Sequence, residues 1–192
     1  GSVETTYNIQ KLSMSNASFS VAPAYYTGSE VTPEVTVTHS GKTLVKDRDF
    51  IVTYHNNIEP SSYYNSPWVG IDGIGNYQGY VTKSFTINRA DISSCTVTLS
   101  DESLTYTGSS LRPTVTVKSG DKELTLNQDY YVSYRNNWDA GTASVIVNGS
   151  GNYTGSVTKD FQIVPADISN YEVALYNDSF DYDGTAKEQR YV

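Results

Sequence analysis

The chain has 192 residues and a formal net charge of −8, and it is rich in Val, Thr, Tyr, Ser, Gly and Asn. The length allows two small domains and a remainder, and the composition suits strands and turns better than helices. The sequence has no basic stripe for nucleic acid and no apolar run that could cross a bilayer, so we expect neither nucleic-acid binding nor membrane insertion.

Three short motifs recur at matching distances and define an internal repeat. Tyr26-Thr27-Gly28 is followed thirty residues later by Asn56-Asn57 and then by the turn 75–79, Gly-Asn-Tyr-Gln-Gly. The same series runs from Tyr106-Thr107-Gly108 through Asn136-Asn137 to 151–155. A third series begins at 182–184. The spacing predicts a lead-in at 1–11, a first unit at 12–90, a second unit at 91–166 and the start of an incomplete third unit at 167–192.

The lead-in is polar, and Gly1-Ser2 resembles a cloning scar that would have replaced any signal peptide. In the first unit, apolar residues alternate with polar ones, which predicts short strands. The strands are marked by Ala17 and Phe19; Tyr26; Val35 and Val37; Leu44; Phe50, Val52 and Tyr54; Val69 and Ile71; and Val81, Phe85 and Ile87. Because crossover helices are absent from this pattern, we expect an antiparallel sandwich and not an α/β fold.

The second unit repeats the same order of strands. They are marked by Cys95, Val97 and Leu99; Leu104 and Tyr106; Val115 and Val117; Leu124 and Leu126; Tyr130, Val132 and Tyr134; Ala143, Val145 and Val147; and Val157, Phe161 and Ile163. Cys95 is the single cysteine, and its place in the alternation predicts a buried, inert residue. The junctions 89–93 and 165–169 contain no Gly/Ser linker, so we expect the units to be held end to end with limited swing.

The third unit supplies strand-forming residues at Tyr171, Val173, Leu175, Phe180 and Tyr182. Two or three strands cannot bury these side chains by themselves. We therefore expect them to pack on the second unit, to pair with strands of another copy of the chain, or to remain partly exposed.

The motifs of the second unit carry a family resemblance. They are Tyr106-Thr107-Gly108 with Pro113, the segments 129–137 and 140–143, the turn 149–155 and Phe161-Gln162-Ile163. Together they resemble bacterial immunoglobulin-like repeats, which occur in tandem in large secreted or wall-attached proteins of Gram-positive, often gut-dwelling, bacteria. The resemblance implies an all-β fold of tandem immunoglobulin-like antiparallel β-sandwiches at an extracellular or cell-surface location. It implies a stalk, spacer or adhesive role and brings no catalytic motif.

The first unit departs from this pattern between its Asn pair and the next strand. The segment 58–66 replaces Trp138-Asp139-Ala140-Gly141-Thr142 and makes the unit four residues longer. Its aromatic residues are not explained by the repeat, and exposed rings stack on sugars or anchor protein partners. The candidate ligand-binding residues are Tyr63, Tyr64, Trp68 and Trp138, with Asn65 beside them as a hydrogen-bonding group. The alternative is that Trp68 caps the end of the sandwich and the tyrosines pack across the hinge between units.

No combination of residues predicts catalysis, a metal site or a cofactor. His39 and His55 lie in different strand–loop regions and are predicted to be solvated. Asp47, Asp49 and Asp72 could offer oxygens to calcium, but the sequence has no calcium-binding loop.

Lys83 and Lys159 share the parity of inward-facing residues in the last strand of each unit. Lysines placed in this way either extend their ammonium groups to water or form isopeptide crosslinks to Asn or Asp, as occurs in some surface proteins.

Two functional hypotheses remain open. The first is a non-enzymatic spacer whose partners are neighbouring domains of the same parent chain. The second is a binding module for polysaccharide, or for a host or cell-surface protein, that uses the aromatic residues of the first unit. Pairing between chains through the third unit is compatible with both hypotheses.

Overall fold

The computed structural model describes residues 1–170, 172, 174–175, 177 and 179–188. These residues form 19 short strands and three one-turn 3₁₀ helices, so the fold is nearly all-β, as predicted. No helix in this part of the chain has the length and apolar character that a membrane span requires. The predictions made for Tyr171 and Val173 lie outside the described residues.

The elements follow one order in both units. Between residues 12 and 88 they are β1 (Leu12–Ser13), a 3₁₀ turn (Met14–Asn16), β2 (Ser18–Val21), β3 (Ala24–Tyr25), β4 (Val35–His39), β5 (Lys42–Thr43), β6 (Phe50–His55), β7 (Trp68–Gly73), β8 (Tyr77–Gln78), β9 (Tyr80–Ser84) and β10 (Ile87–Asn88). Between residues 90 and 170 they are β11 (Ala90–Asp91), a 3₁₀ turn (Ile92–Ser94), β12 (Thr96–Leu99), β13 (Ser103–Thr105), β14 (Val115–Ser119), β15 (Lys122–Glu123), β16 (Tyr130–Arg135), β17 (Gly141–Gly149), β18 (Tyr153–Thr154), β19 (Ser156–Val164) and a 3₁₀ turn (Ile168–Asn170).

Each unit contains two main sheets in a sandwich-like arrangement. The second unit has a three-stranded sheet β12-β14-β15 and a four-stranded sheet β13-β19-β17-β16. The first unit has the matching sheets β2-β4-β5 and β6-β7-β9, and β10 pairs separately with β3. The strands on either side of each Asn pair form antiparallel ladders, such as β16 with β17, and the ladder continues with β17 and β19.

The prediction of purely antiparallel pairing is wrong at four places. β13 pairs in parallel with the end of β19, and β3 pairs in the same way with β10. After β12 the chain crosses to the opposite sheet, where β13 lies beside β19 and runs in the same direction as β19. The two short pairs β1 with β8 and β11 with β18 are also parallel.

The alternation of apolar residues correctly identified the core. The inner faces of the sheets bury, among others, Val37, Phe50, Ile71, Val117, Val145, Phe161 and Ile163. The 3₁₀ turns were not predicted, yet they place Met14 and Ile92 at 0% exposure. The second of these turns is capped by Asp91, whose side chain accepts a hydrogen bond from the Ser93 amide at 2.9 Å.

The Asn pairs close each unit by a long-range clasp. Asn56 and Asn136 adopt left-handed backbone conformations, with φ of 54° and 53°, as the prediction of an Asn turn requires. The following residue, Asn57 or Asn137, is buried. The Asn57 amide donates to the Val31 carbonyl at 3.0 Å, and that of Asn137 donates to the Leu111 carbonyl at 2.9 Å. The clasp ties the turn to the segment that follows the Tyr-Thr-Gly motif.

The two units meet without a linker, through side chains as well as the backbone. The ring of Tyr26 in the first unit meets the ring of Tyr153 edge-on, with centroids 5.7 Å apart. Nearby, the Asn152 amide donates to the Glu59 carboxylate at 2.6 Å. Glu59 therefore joins the units from within the segment 58–66.

The described residues of the third unit are mostly exposed. Ile168 is 79% exposed, although Met14 and Ile92 at the same position of the other units are fully buried. Leu175, Phe180 and Tyr182 are 56%, 46% and 95% exposed. These exposures agree with the alternative of partial exposure, and pairing with strands of another copy of the chain stays a prediction.

Candidate functional site

The segment 58–66, named here the insertion loop, is held by an internal turn. The amide of Ser62 donates to the carbonyl of Asn65 at 2.9 Å, and the Asn65 amide donates to the Ser62 hydroxyl at 3.1 Å. The Tyr64 amide also donates to this hydroxyl, at 3.3 Å. Tyr63 and Tyr64 are therefore the two central residues of a four-residue turn.

Further hydrogen bonds connect the two ends of the insertion loop to each other and attach the loop to the body of the first unit. The side-chain amide of Asn65 donates to the carbonyl of Glu59 at 2.7 Å and approaches that of Pro60 at 3.3 Å. Ser61 bonds to Ile87 through both its amide, at 2.8 Å, and its hydroxyl, at 3.0 Å. Asn65, expected beside a ligand, instead supports the loop that displays the tyrosines.

The two tyrosines at the tip contact each other and little else. Tyr63 is 91% exposed and Tyr64 is 93% exposed, and their rings meet edge-on with centroids 5.0 Å apart. The alternative in which these tyrosines pack across the hinge is therefore wrong. Large rings held in water on a fixed turn are unusual for a structural role and are well suited to contact a partner.

Trp68 lies apart from the tip, on the outer face of the sheet β6-β7-β9. It is the cross-strand partner of His55, and the two rings stack with centroids 3.8 Å apart and an angle of 10° between their planes. Trp68 thus does not cap the end of the sandwich. No ring contact in the described chain joins Trp68 to Tyr63 or Tyr64.

Tyr80 is a further aromatic residue on this outer face. It pairs with Asp72 across β7 and β9, and its hydroxyl extends over Gly70. A Cβ atom on Gly70 would lie 2.2 Å from the Tyr80 hydroxyl. The Tyr80 side chain therefore occupies the space that the side chain of any other residue at position 70 would need. The motifs gave no reason to select Tyr80, but its parity with Thr82 and Ser84 indicated an outward side chain.

Trp138 belongs to the matching loop of the second unit and is 60% exposed. It lines an open depression of about 500 Å³ together with Asn136, Asp139 and Gly141. Among the described residues it has no ring partner, so the four predicted ligand residues form three separate groups.

The histidines do not assemble a catalytic site with the groups around them. His39 is 7% exposed, so the prediction that it is solvated is wrong; its ring packs against Tyr77 with centroids 5.7 Å apart. Its Nδ1 lies 3.2 Å from the hydroxyl of the adjacent Ser40, while its Nε2 has no hydrogen-bond partner in the described chain. Among the residues that the structure describes, no carboxylate hydrogen-bonds to this ring as a Ser-His-Asp arrangement would require. His55 is exposed, as predicted.

The carboxylates are also used locally. Asp49 forms a salt bridge with Arg48 at 2.8 Å and accepts the Val45 amide at 2.9 Å. The hydrogen bond from Arg48, followed by that from Val45, lowers the pKa of Asp49 to about 2. The described residues contain no group of three or more His, Cys, Asp or Glu side chains that could hold a metal ion.

Lys83 and Lys159 are both exposed, although the residues opposite them in the ladder, Val69 and Val145, are fully buried. Within the described chain neither ammonium group has a salt bridge or a hydrogen bond. This placement agrees with lysines that reach water from an inward position. The crosslink stays a prediction, and an intact mass equal to the sequence mass would exclude it.

Comparison with family models, with curated proteins and with solved structures finds no match to this chain.

Proposed function

We propose that this chain is a non-enzymatic structural module, made of tandem immunoglobulin-like sandwiches, that serves as an extracellular spacer in a bacterial surface or secreted protein. The observation that carries the proposal is the direct junction between the units. Tyr26 packs on Tyr153, Glu59 accepts a hydrogen bond from Asn152, and no flexible segment separates β10 from β11. Units joined in this way transmit orientation from one to the next, as a spacer requires.

The stiffness of the junction can be measured by small-angle X-ray scattering. We expect the native chain to scatter as one elongated particle with a narrow distribution of maximum dimensions. The double variant Tyr26→Ala/Glu59→Ala should broaden that distribution, because it removes both side-chain contacts of the first unit with Asn152 and Tyr153. Tyr106→Ala is the matched control, since it changes the equivalent tyrosine of the second unit, which is 37% exposed. A native chain that already scatters as two freely jointed bodies would refute the spacer proposal.

The second candidate function is adhesion to polysaccharide through the first unit. The observation that favours it is the near-complete exposure of Tyr63 and Tyr64 on a loop whose hydrogen bonds hold the backbone in place. A preorganised aromatic tip loses little conformational entropy when it binds. Equivalent positions of the second unit carry no such pair.

Affinity electrophoresis in gels that contain soluble polysaccharides tests this candidate. The native chain should be retarded by at least one polysaccharide, and Tyr63→Ser/Tyr64→Ser should weaken the retardation. Tyr7→Ser is the matched control, because Tyr7 is 84% exposed in the lead-in and lies outside the loop. If no polysaccharide changed the mobility of the native chain, this candidate would be rejected and only the spacer function would remain supported.

A further inference from the structure

The outer face of the sheet β6-β7-β9 differs from its counterpart in the second unit in a way that the fold does not require. In the first unit one row of the ladder joins His55, Trp68 and Ser84. The same row of the second unit joins Arg135, Ser144 and Asp160. Both sheets have the same strand register, although only the first contains the stacked His55–Trp68 pair. The sheet therefore does not need this pair in order to form.

The neighbouring rows show the same kind of difference. Gly70 stands where the second unit has Ile146, and Tyr80, which pairs with Asp72, stands where the second unit has Ser156. Ile at position 70 would exclude the Tyr80 ring, because even a Cβ atom there would lie 2.2 Å from its hydroxyl. The glycine and the tyrosine therefore work as a pair that brings a second ring over the middle of β7.

The two rings belong to one continuous strip. Trp68 and Gly70 are two residues apart on β7 and face the same side, which separates their Cα atoms by about 7 Å. The Tyr80 hydroxyl reaches over Gly70, so the Tyr80 ring extends towards Trp68. One face of Trp68 is covered by His55, and the ladder neighbour on its other side is the small Ser84. Asp72 borders the strip as an exposed hydrogen-bond acceptor.

We propose that Trp68 and Tyr80 form a binding strip for a neutral polysaccharide, with His55 positioning Trp68 and Asp72 available to accept hydrogen bonds from sugar hydroxyls. This inference rests on the polysaccharide candidate above. It places the main contact with the polysaccharide on the outer face of the sheet and not at the tip of the insertion loop. Planar rings beside polar groups match the apolar faces and hydroxyl edges of sugar rings. A chain of net charge −8 repels acidic polymers, which favours a neutral ligand.

The test is affinity electrophoresis of the full chain in gels that contain a mixed-linkage β-glucan, a galactomannan, an arabinoxylan or glycogen, with polygalacturonate as the acidic comparison. We expect retardation by at least one neutral polymer and none by polygalacturonate. Trp68→Ser and Tyr80→Ser, which introduce the residues of the second unit, should each weaken binding about tenfold or more, as loss of a central aromatic contact does. Tyr131→Ser is the matched control, because Tyr131 is 52% exposed on the equivalent face of the second unit.

A second measurement does not depend on the folding of these variants. In a Trp138→Phe background, Trp68 is the only tryptophan of the chain. The bound polymer should shift its emission to shorter wavelength and protect it from acrylamide quenching. Binding that leaves Trp68 emission unchanged and that is lost in Tyr63→Ser/Tyr64→Ser would overturn the strip while preserving the polysaccharide candidate. Absence of binding to every polymer would overturn both.

Discussion

The Asn clasp offers the sharpest test of why the repeat motifs stand at fixed distances. Asn137 is 6% exposed; its side-chain amide donates to the Leu111 carbonyl at 2.9 Å, and its own carbonyl accepts the Leu111 amide at 2.8 Å. Asn137→Ala removes the first bond and leaves the Leu111 carbonyl without its donor. An unsatisfied buried polar group costs about 1–3 kcal/mol. Because Leu111 is itself only partly buried, we expect a loss of about 1–2 kcal/mol for the second unit.

Urea unfolding followed by tryptophan fluorescence can measure this loss in one unit at a time. In a Trp68→Phe background the remaining tryptophan, Trp138, reports on the second unit. With a urea m-value of about 1 kcal/mol/M for a domain of this size, the midpoint should fall by about 1–2 M. In a Trp138→Phe background, Trp68 reports on the first unit, and its midpoint should stay in place.

The neighbouring residue provides the matched control for the clasp. Asn136 has a φ of 53°, a conformation that Gly adopts without steric cost, so Asn136→Gly should change the stability by less than about 0.5 kcal/mol. The equivalent clasp residue Asn57 should behave like Asn137, with Asn57→Ala lowering the Trp68 midpoint. If the Asn137→Ala chain unfolded at the native midpoint, the clasp would not explain why both units keep the same distance between the Tyr-Thr-Gly motif and the Asn pair.

Three further predictions follow from local geometry. Gly149→Ala should destabilise the second unit by about 1–3 kcal/mol in the same urea assay, because its Cβ would lie 2.7 Å from the Thr154 backbone nitrogen, which cannot move aside as a side chain can. Asp49→Asn should lower the melting temperature much more at pH 7 than at pH 2, because the pKa of Asp49 is about 2 in the folded chain and about 3.9 when unfolded. Its stabilisation is therefore present above the unfolded pKa and is lost as the pH falls through 2. The Cys95 thiol should react with a thiol reagent at pH 7 much more slowly than free cysteine, and at the rate of free cysteine in urea, because burial raises its pKa; equal rates with and without urea would contradict this.

Much of the strand layout could be predicted from local patterns. Alternation with a period of two placed the inward residues of β6, β7, β16 and β17 correctly, because successive side chains of a strand point to opposite faces. The left-handed turns at Asn56 and Asn136 followed from the tolerance of Asn for positive φ. Cys95 was placed on the core side correctly, but it is only partly buried. The 3₁₀ turns at Met14 and Ile92 escaped detection because three residues carry too little periodicity.

The candidate site could be predicted only in part. The mismatch between the units identified the insertion loop, Trp68 and Trp138, but the sequence could not tell whether the rings are packed or free. That outcome depends on hydrogen bonds such as those of Ser62 and Asn65, which hold Tyr63 and Tyr64 in solvent.

The sequence by itself determined the all-β class, the repeat and the residues that face inward, because each of these depends on neighbours within a few positions. Only the tertiary structure decided the parallel pairing of β13 with β19, the junction between Glu59 and Asn152, and the stacking of His55 on Trp68. These features join residues that are far apart in sequence. Strand register and the crossing of the chain between sheets decide which residues become partners. A pattern of neighbouring residues gives no information about the register or about the crossing.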